Sequence, residues 1–178
     1  ARAIFTCVPT VNKAVVAATV GATEAAEAVG QELAALLAGY GSINRAARAA
    51  QVPTIGVAHG TVNGCVTEHG VPMAGFDHEF TTTSLFSAGV QAFMLGHIHK
   101  HQSWEDSGRV IAYAGSIGRF HHGEHDAKGF LQWEVGAAVA RFRLVETPAR
   151  RTVDLVFEGV PDADQIAAAI REVDIAGA

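Results

Sequence analysis

Apolar and polar positions along the chain follow two periods. Residues 2–8 (RAIFTCV) form a short apolar-rich run that reads as a strand starting at once. Over residues 23–40, Val29, Leu33, Leu36, Leu37 and Tyr40 recur three or four apart, the spacing of one helix face. Glu24 and Glu27 suit its first turn, and Gly39 and Gly41 are read as its end. A short helix over 43–51 follows, and Pro53 then opens a buried strand that runs to His59. Residues 60–75 carry scattered glycines and read as an active-site loop. One or two helical turns are expected over 83–90, before the apolar run Ala92-Phe93-Met94-Leu95 that ends in Gly96. Residues 110–114, 129–135 and 139–145 are β-like, the last two facing each other across Gly136-Ala137. Phe142 and Leu144 alternate with Arg141 and Arg143, as a half-buried strand requires. After Thr147-Pro148 a strand over 152–157 and a helix over 162–173 are predicted, the helix started by Asp162 and Asp164. Strands ending in ligand-type residues between helices indicate an α/β fold.

Of 178 residues, 49% are hydrophobic and 17% charged, enough apolar matter for one packed domain or for one domain and a piece of another. No apolar run approaches the roughly 20 residues of a membrane span, and no signal peptide is visible, so the expected compartment is cytoplasmic. Cys7 and Cys65 lack motif spacing and read as two reduced core cysteines. The net charge of −5 argues against holding nucleic acid by bulk electrostatics, although bound cations can supply positive charge locally. Arg141, Arg143, Arg150 and Arg151 form a late basic group, either a solvated strand face or a phosphate-backbone patch.

All nine histidines lie between His59 and His125. His59 follows Val57-Ala58, and His97 and His99 follow Gly96, so two apolar runs each lead into histidine. Imidazoles at the carboxyl ends of strands in an α/β sheet are placed to bind ligands. Neutral imidazole suits Mn, Fe, Zn or Ni, and Mg less well. In a continuing strand His97 and His99 share a face; in a tight turn they straddle two ions. Three imidazoles make a poor cage for two dications, and a two-metal hydrolytic site also needs carboxylates. Asp77, Glu79, Glu105, Asp106, Glu124 and Asp126 are available, but none follows a strand as a bridging ligand should. His69 and His78 read as solvated or second-layer residues, His101 as exposed, and His121, His122 and His125 as a solvated loop that borders the site. Ser116 is not in a nucleophile elbow, and no Walker or dinucleotide-binding glycine motif is present.

Gly96-His97-Ile98-His99 resembles the last metal motif of the calcineurin-like metallophosphoesterases, and Ala58-His59-Gly60 resembles their preceding single-histidine motif. Tyr113-Ala114-Gly115-Ser116, then Glu124, then Lys128-Gly129-Phe130 is similar to a run of the SbcD-type DNA-repair exonuclease branch. Thr147-Pro148-Ala149-Arg150-Arg151 resembles the entry to that branch's capping domain. The resemblance implies an αββα four-layer sandwich over residues 1–146 and the start of a capping domain, a β-α unit, over 147–178. It implies two divalent ions, manganese first and Fe, Zn, Ni or Mg as alternatives. His59 and His97 would bind one ion and His99 its neighbour, with Gly115 and Ser116 near substrate. The family's Asp-x-His, Gly-Asp-x-x-Asp and Gly-Asn-His motifs are absent here. The expectation is therefore the C-terminal part of a phosphoesterase domain that lacks the bridging aspartate and leaving-group histidine. Such a piece should bind metal weakly and turn over nothing by itself.

The resulting expectation is part of a dinuclear-metal-dependent phosphodiesterase, an SbcD-like DNA exonuclease or endonuclease. One alternative is a metallophosphatase acting on small phosphate esters or nucleotides. Another is a non-catalytic half-domain that binds a partner. Implied partners are DNA, an SbcC-like ATPase subunit, a second copy as homodimer, and the missing N-terminal half of the domain; no membrane is implied.

Overall fold

The computed structural model describes residues 2–73, 79–122 and 124–173. The chain runs β1 (Ile4–Cys7), α1 (Lys13–Val20), α2 (Ala22–Ala49), β2 (Thr54–His59), α3 (Thr82–Ser87) and β3 (Ala92–Gly96). It continues with β4 (Gln102–Asp106), β5 (Arg109–Tyr113), β6 (Gly129–Val135), β7 (Ala140–Glu146) and α4 (Ala163–Glu172). Five strands form one sheet in the order β1-β2-β3-β5-β4. β1, β2, β3 and β5 are parallel, and β4 returns antiparallel along β5. The fold is thus α/β with a mostly parallel sheet, as the strand and helix alternation indicated.

Side-chain alternation assigns each face of this sheet a cover. Phe93, Leu95, Ile111 and Tyr113 join one core with Val29, Leu33 and Leu37 of α2 and Leu85 of α3. Their neighbours Ala92, Val110 and Ala112 face the other way, with Met94, onto Leu131, Trp133 and Phe142 of the β6–β7 hairpin. Small residues on that second face let the hairpin's aromatic side chains approach. The hairpin register pairs Val135 with Ala140, and Gly136 N–H closes the turn on the Val139 carbonyl at 2.9 Å.

Several expected boundaries moved. α2 passes through Gly39 and Gly41 to Ala49, joining two expected helices into one. Asn44, 1% exposed, explains why: its side chain bonds Thr6 Oγ1 on β1 at 3.0 Å and the Ala88 carbonyl after α3 at 2.8 Å. Those tertiary bonds reward continuing the helix past two glycines that locally disfavour it. α1 and β4 were not anticipated. β4 (QSWED) is an edge strand with alternating exposure and few apolar residues, so its pairing with β5 carries the signal and its composition does not.

Residues 152–157, expected as a strand, form none. Val153, Leu155 and Phe157 alternate, but no strand of the described chain pairs with them, and Val156 is 89% exposed. Alternation creates a strand only where a ladder partner is available. The following helix does begin at Asp162, which accepts from Gln165 N while Gln165 returns the bond, a reciprocal cap. No α4 residue is buried among those described. Cys65 lies in the core as expected, but Cys7 is exposed. Arg141, Arg143, Arg150 and Arg151 are all exposed. Among the described residues, no helix is long and apolar enough to cross a membrane.

Candidate metal centre

β2 and β3 lie side by side, with His59 opposite Gly96 in the parallel register. The strands therefore deliver His59 and His97 to the same carboxyl edge. Both histidines are exposed, and their rings stand edge to face with centroids 5.2 Å apart. Gly96 makes this possible: a β-carbon there would lie 3.0 Å from His59 Nδ1. His97 holds φ at 111°, a region costly for any residue with a side chain. That strain ends the strand abruptly and sends the chain into the turn that carries His99. His97 and His99 thus do not share a strand face.

The loop after His59 is pinned from below. Tyr113, fully buried, donates its hydroxyl to the Gly60 carbonyl at 2.6 Å and accepts from Val62 N at 3.0 Å. Burial pushes the Tyr113 hydroxyl above its ordinary range, which keeps it a donor at neutral pH. Glu79 accepts from Thr61 N at 2.7 Å and so orders the same loop.

His99 is held mainly through its backbone. Its carbonyl receives Lys128 Nζ at 3.1 Å, Ser116 N at 3.2 Å and Ser116 Oγ at 3.4 Å. Lys128 also forms an ion pair with Glu124, and both side chains are almost wholly excluded from solvent. Burial alone would raise the Glu124 carboxyl. The Lys128 hydrogen bond and charge, with the backbone N–H groups of His121 and Phe120, outweigh this and hold it below the usual carboxylate range. Glu124 Oε1 accepts from His121 N at 3.0 Å and from Phe120 N at 3.3 Å. One buried ion pair therefore reaches the main chain at both His99 and His121. Gly115 has φ at 83° and packs so tightly that a β-carbon would lie 3.0 Å from the His99 carbonyl and 2.9 Å from His101 N. Gly115 and Ser116, expected near substrate, are found packed on the backbone of residues 99–101.

The loop residues 119–122 and 124–126, read as solvated, are tied down. Arg119 donates to the carbonyls of Glu124 at 2.7 Å, Ala149 at 2.8 Å and Arg150 at 3.0 Å. Lys100 pairs with Asp126 at 2.9 Å. His121, His122 and His125 do remain exposed on it. The His121 ring stacks on His99 with centroids 5.9 Å apart and planes at 18°. Glu68, from the loop after β2, approaches His121 Nε2 at 4.0 Å. One ligand-type atom from each of Glu68, His99 and His121 lies within 4.8 Å of the other two. The rings of His59 and His97 thus meet each other, and the companions of His99 are Glu68 and His121.

His99 Nδ1 is buried and has no hydrogen-bond partner. A buried polar nitrogen left alone costs on the order of 1–3 kcal/mol, so it calls for an explanation. His69 is exposed, with its ring 5.8 Å from that of His121. His101, expected exposed, is half-buried, its Nδ1 on the Tyr113 carbonyl at 2.7 Å and its ring edge-on to Phe142. Its neighbour Gln102 lies in a strand, which carries the ring back over the sheet. Asp77 and His78 fall outside the described residues. Glu68 was missed as a candidate because nothing local distinguishes Glu68-His69 from a polar loop. Lys128 and Tyr113 were noted only as letters of a motif.

Compared with models of known protein families and with curated proteins, the chain matches none.

Proposed function

We propose that this chain supplies metal ligands to a dinuclear-metal-dependent phosphodiesterase, SbcD-like and acting on DNA. One observation carries the reading. His59 and His97 meet at the carboxyl edge of two parallel strands, with His99 two residues further on. The donors fit the ions: imidazoles on rigid strand ends, and in His99 a buried nitrogen with no protein partner. His59 and His97 would hold one ion and His99 its neighbour. Bound dications would polarise a phosphodiester, lower the pKa of a bound water and offset charge that develops on the phosphoryl oxygens.

The chain's own residues orient those ligands. Tyr113 and Glu79 fix the backbone that leaves His59, so this imidazole cannot swing with its loop. Ser116 and Lys128 clamp the His99 carbonyl, which fixes the backbone from which its ring projects. Such support decides how precisely a site is pre-organised. The net charge of −5 makes the protein a poor polyanion binder by itself, so DNA would depend on the ions for attraction at this edge. The finer features of this reading are an αββα sandwich, a capping unit from residue 147, manganese as the ion, a partner ATPase and a cytoplasmic setting.

The test is Mn-dependent cleavage by the protein as encoded, on single- and double-stranded DNA and on a chromogenic phosphodiester. Cleavage of DNA that is lost in His99→Ala, with far-UV circular dichroism unchanged, supports the nuclease. Cleavage of the small ester alone moves the reading to a metallophosphatase. Full activity in His99→Ala, or none on either substrate, refutes it.

A further inference from the structure

We infer that Glu68, His99 and His121 form a binding site for one divalent transition-metal ion. Neither the resemblance nor the spacing of the sequence assigns Glu68 or His121 to any ligand. The inference concerns binding only, and it would hold for a chain that hydrolyses nothing.

Chemistry comes first. Two imidazoles and one carboxylate are a donor set that suits Zn, Mn, Fe, Co or Ni, and leaves positions open for water or an anion. The carboxylate partly offsets the charge of the ion, which the His59 and His97 pair by itself does not. Glu68 is mostly buried, with its side chain 18% exposed, while His121 is 52% exposed. The ion would sit at an accessible edge with one shielded anionic donor.

Geometry comes second. Ligand atoms about 2.1 Å from an ion stand roughly 3.0–3.4 Å apart. The three atoms here lie within 4.8 Å of one another, so closure asks each to move by about an ångström or less. Rotation of the Glu68 and His121 side chains can supply that shift on their anchored backbones, while His99 is clamped through its carbonyl. The near-parallel stack of His99 and His121, 18° between planes, keeps the two rings side by side.

The third observation is the unpartnered nitrogen. His99 Nδ1 is buried and takes no hydrogen bond, although Ser116, Lys128 and Gly115 crowd its backbone. Histidines that serve only packing direct buried nitrogens to a carbonyl or hydroxyl, as His101 does with Tyr113. The loop of His121 is also over-built for a solvated turn: a buried carboxylate caps it and Arg119 braces it. The ion pair of Lys128 and Glu124 joins both histidine backbones, which holds the two ligand-bearing segments together before an ion arrives.

The test uses the whole chain and Co(II) or Zn(II) as probe, followed by calorimetry and by the visible absorption of bound Co(II). Removing groups that merely support ligands weakens metal binding by about 10–100-fold. Glu68→Gln and His121→Ala, which remove ligands, should each weaken the ion by at least about tenfold. His59→Ala, with far-UV circular dichroism as the folding control, should leave that ion in place. Binding unchanged in both Glu68→Gln and His121→Ala overturns the inference. If His59→Ala then abolishes binding, the ion belongs to the His59 and His97 pair, and the phosphodiesterase reading survives alone. No binding to the wild-type chain also overturns the inference, while hydrolysis by the protein as encoded remains the separate measure of activity.

Discussion

The ammonium of Lys128 lies 3.1 Å from the backbone carbonyl of His99, twenty-nine positions earlier in the chain. The same ammonium is ion-paired with Glu124, whose other oxygen holds the backbone N–H of His121. A single buried charge pair thus holds the main chain at two histidines. Removing one member leaves the other charged and without its partner, the costly way to break a buried ion pair.

Lys128→Met should destabilise the protein by about 3–5 kcal/mol, measured by urea denaturation. The double variant Lys128→Met/Glu124→Gln should recover part of this, because no uncompensated charge remains. A cost below about 1 kcal/mol for Lys128→Met would place the pair in the class of exposed surface bridges.

Acid should reveal Glu124. Its folded-state pKa lies below the ordinary value, held there chiefly by Lys128 against the opposing effect of burial. Its contribution is therefore complete above the unfolded glutamate value of about 4.3 and is lost as pH falls through the lower folded value. Thermal melts from pH 7 down to pH 3 should show wild type losing stability below pH about 4.3 more steeply than Glu124→Gln. Parallel curves would contradict this.

Tyr113→Phe deletes one oxygen that serves two buried backbone groups, the Gly60 carbonyl and Val62 N–H. Stranding buried polar groups costs about 1–3 kcal/mol. The chemical melt should move by that amount. Any metal held by His59 should bind more weakly too, since the loop leaving His59 loses its anchor.

Gly115→Ala tests the close packing behind His99. Its φ of 83° disfavours any β-carbon, and that carbon would meet the His99 carbonyl and His101 N. A loss of at least about 1 kcal/mol is expected from the backbone conformation alone. An unchanged midpoint would show that the turn can relax.

The two thiols should differ. Cys7 is exposed, and Cys65 is fully buried with its pKa raised, desolvation being the main cause. A chromogenic disulfide reagent should titrate one thiol in the native protein and the second only after denaturation. Rapid reaction of both would mean that the loop around Cys65 opens readily.

Much was legible in the chain itself because it is written locally. Apolar runs ending in glycine and histidine announced β2, β3 and the histidines at their ends. Asp162 announced the start of α4 through a cap that spans only three residues. The α/β class followed from the alternation of these elements. What stayed hidden depends on partners far away in sequence. β4 exists because β5 offers it a ladder, and residues 152–157 form no strand because no strand among the described residues offers them one. α2 crosses Gly39 and Gly41 because Asn44 is bonded to β1 and to the turn after α3. The sequence offered His59 and His97 for one ion and His99 for its neighbour, but it held no sign that the fold would bring Glu68 and His121, from separate loops, beside His99. Periodicity and capping act within a few residues and can be read from order alone. Ladder pairing, ring stacking and the burial of a charge pair need the whole chain folded, and these decided the surroundings of His99.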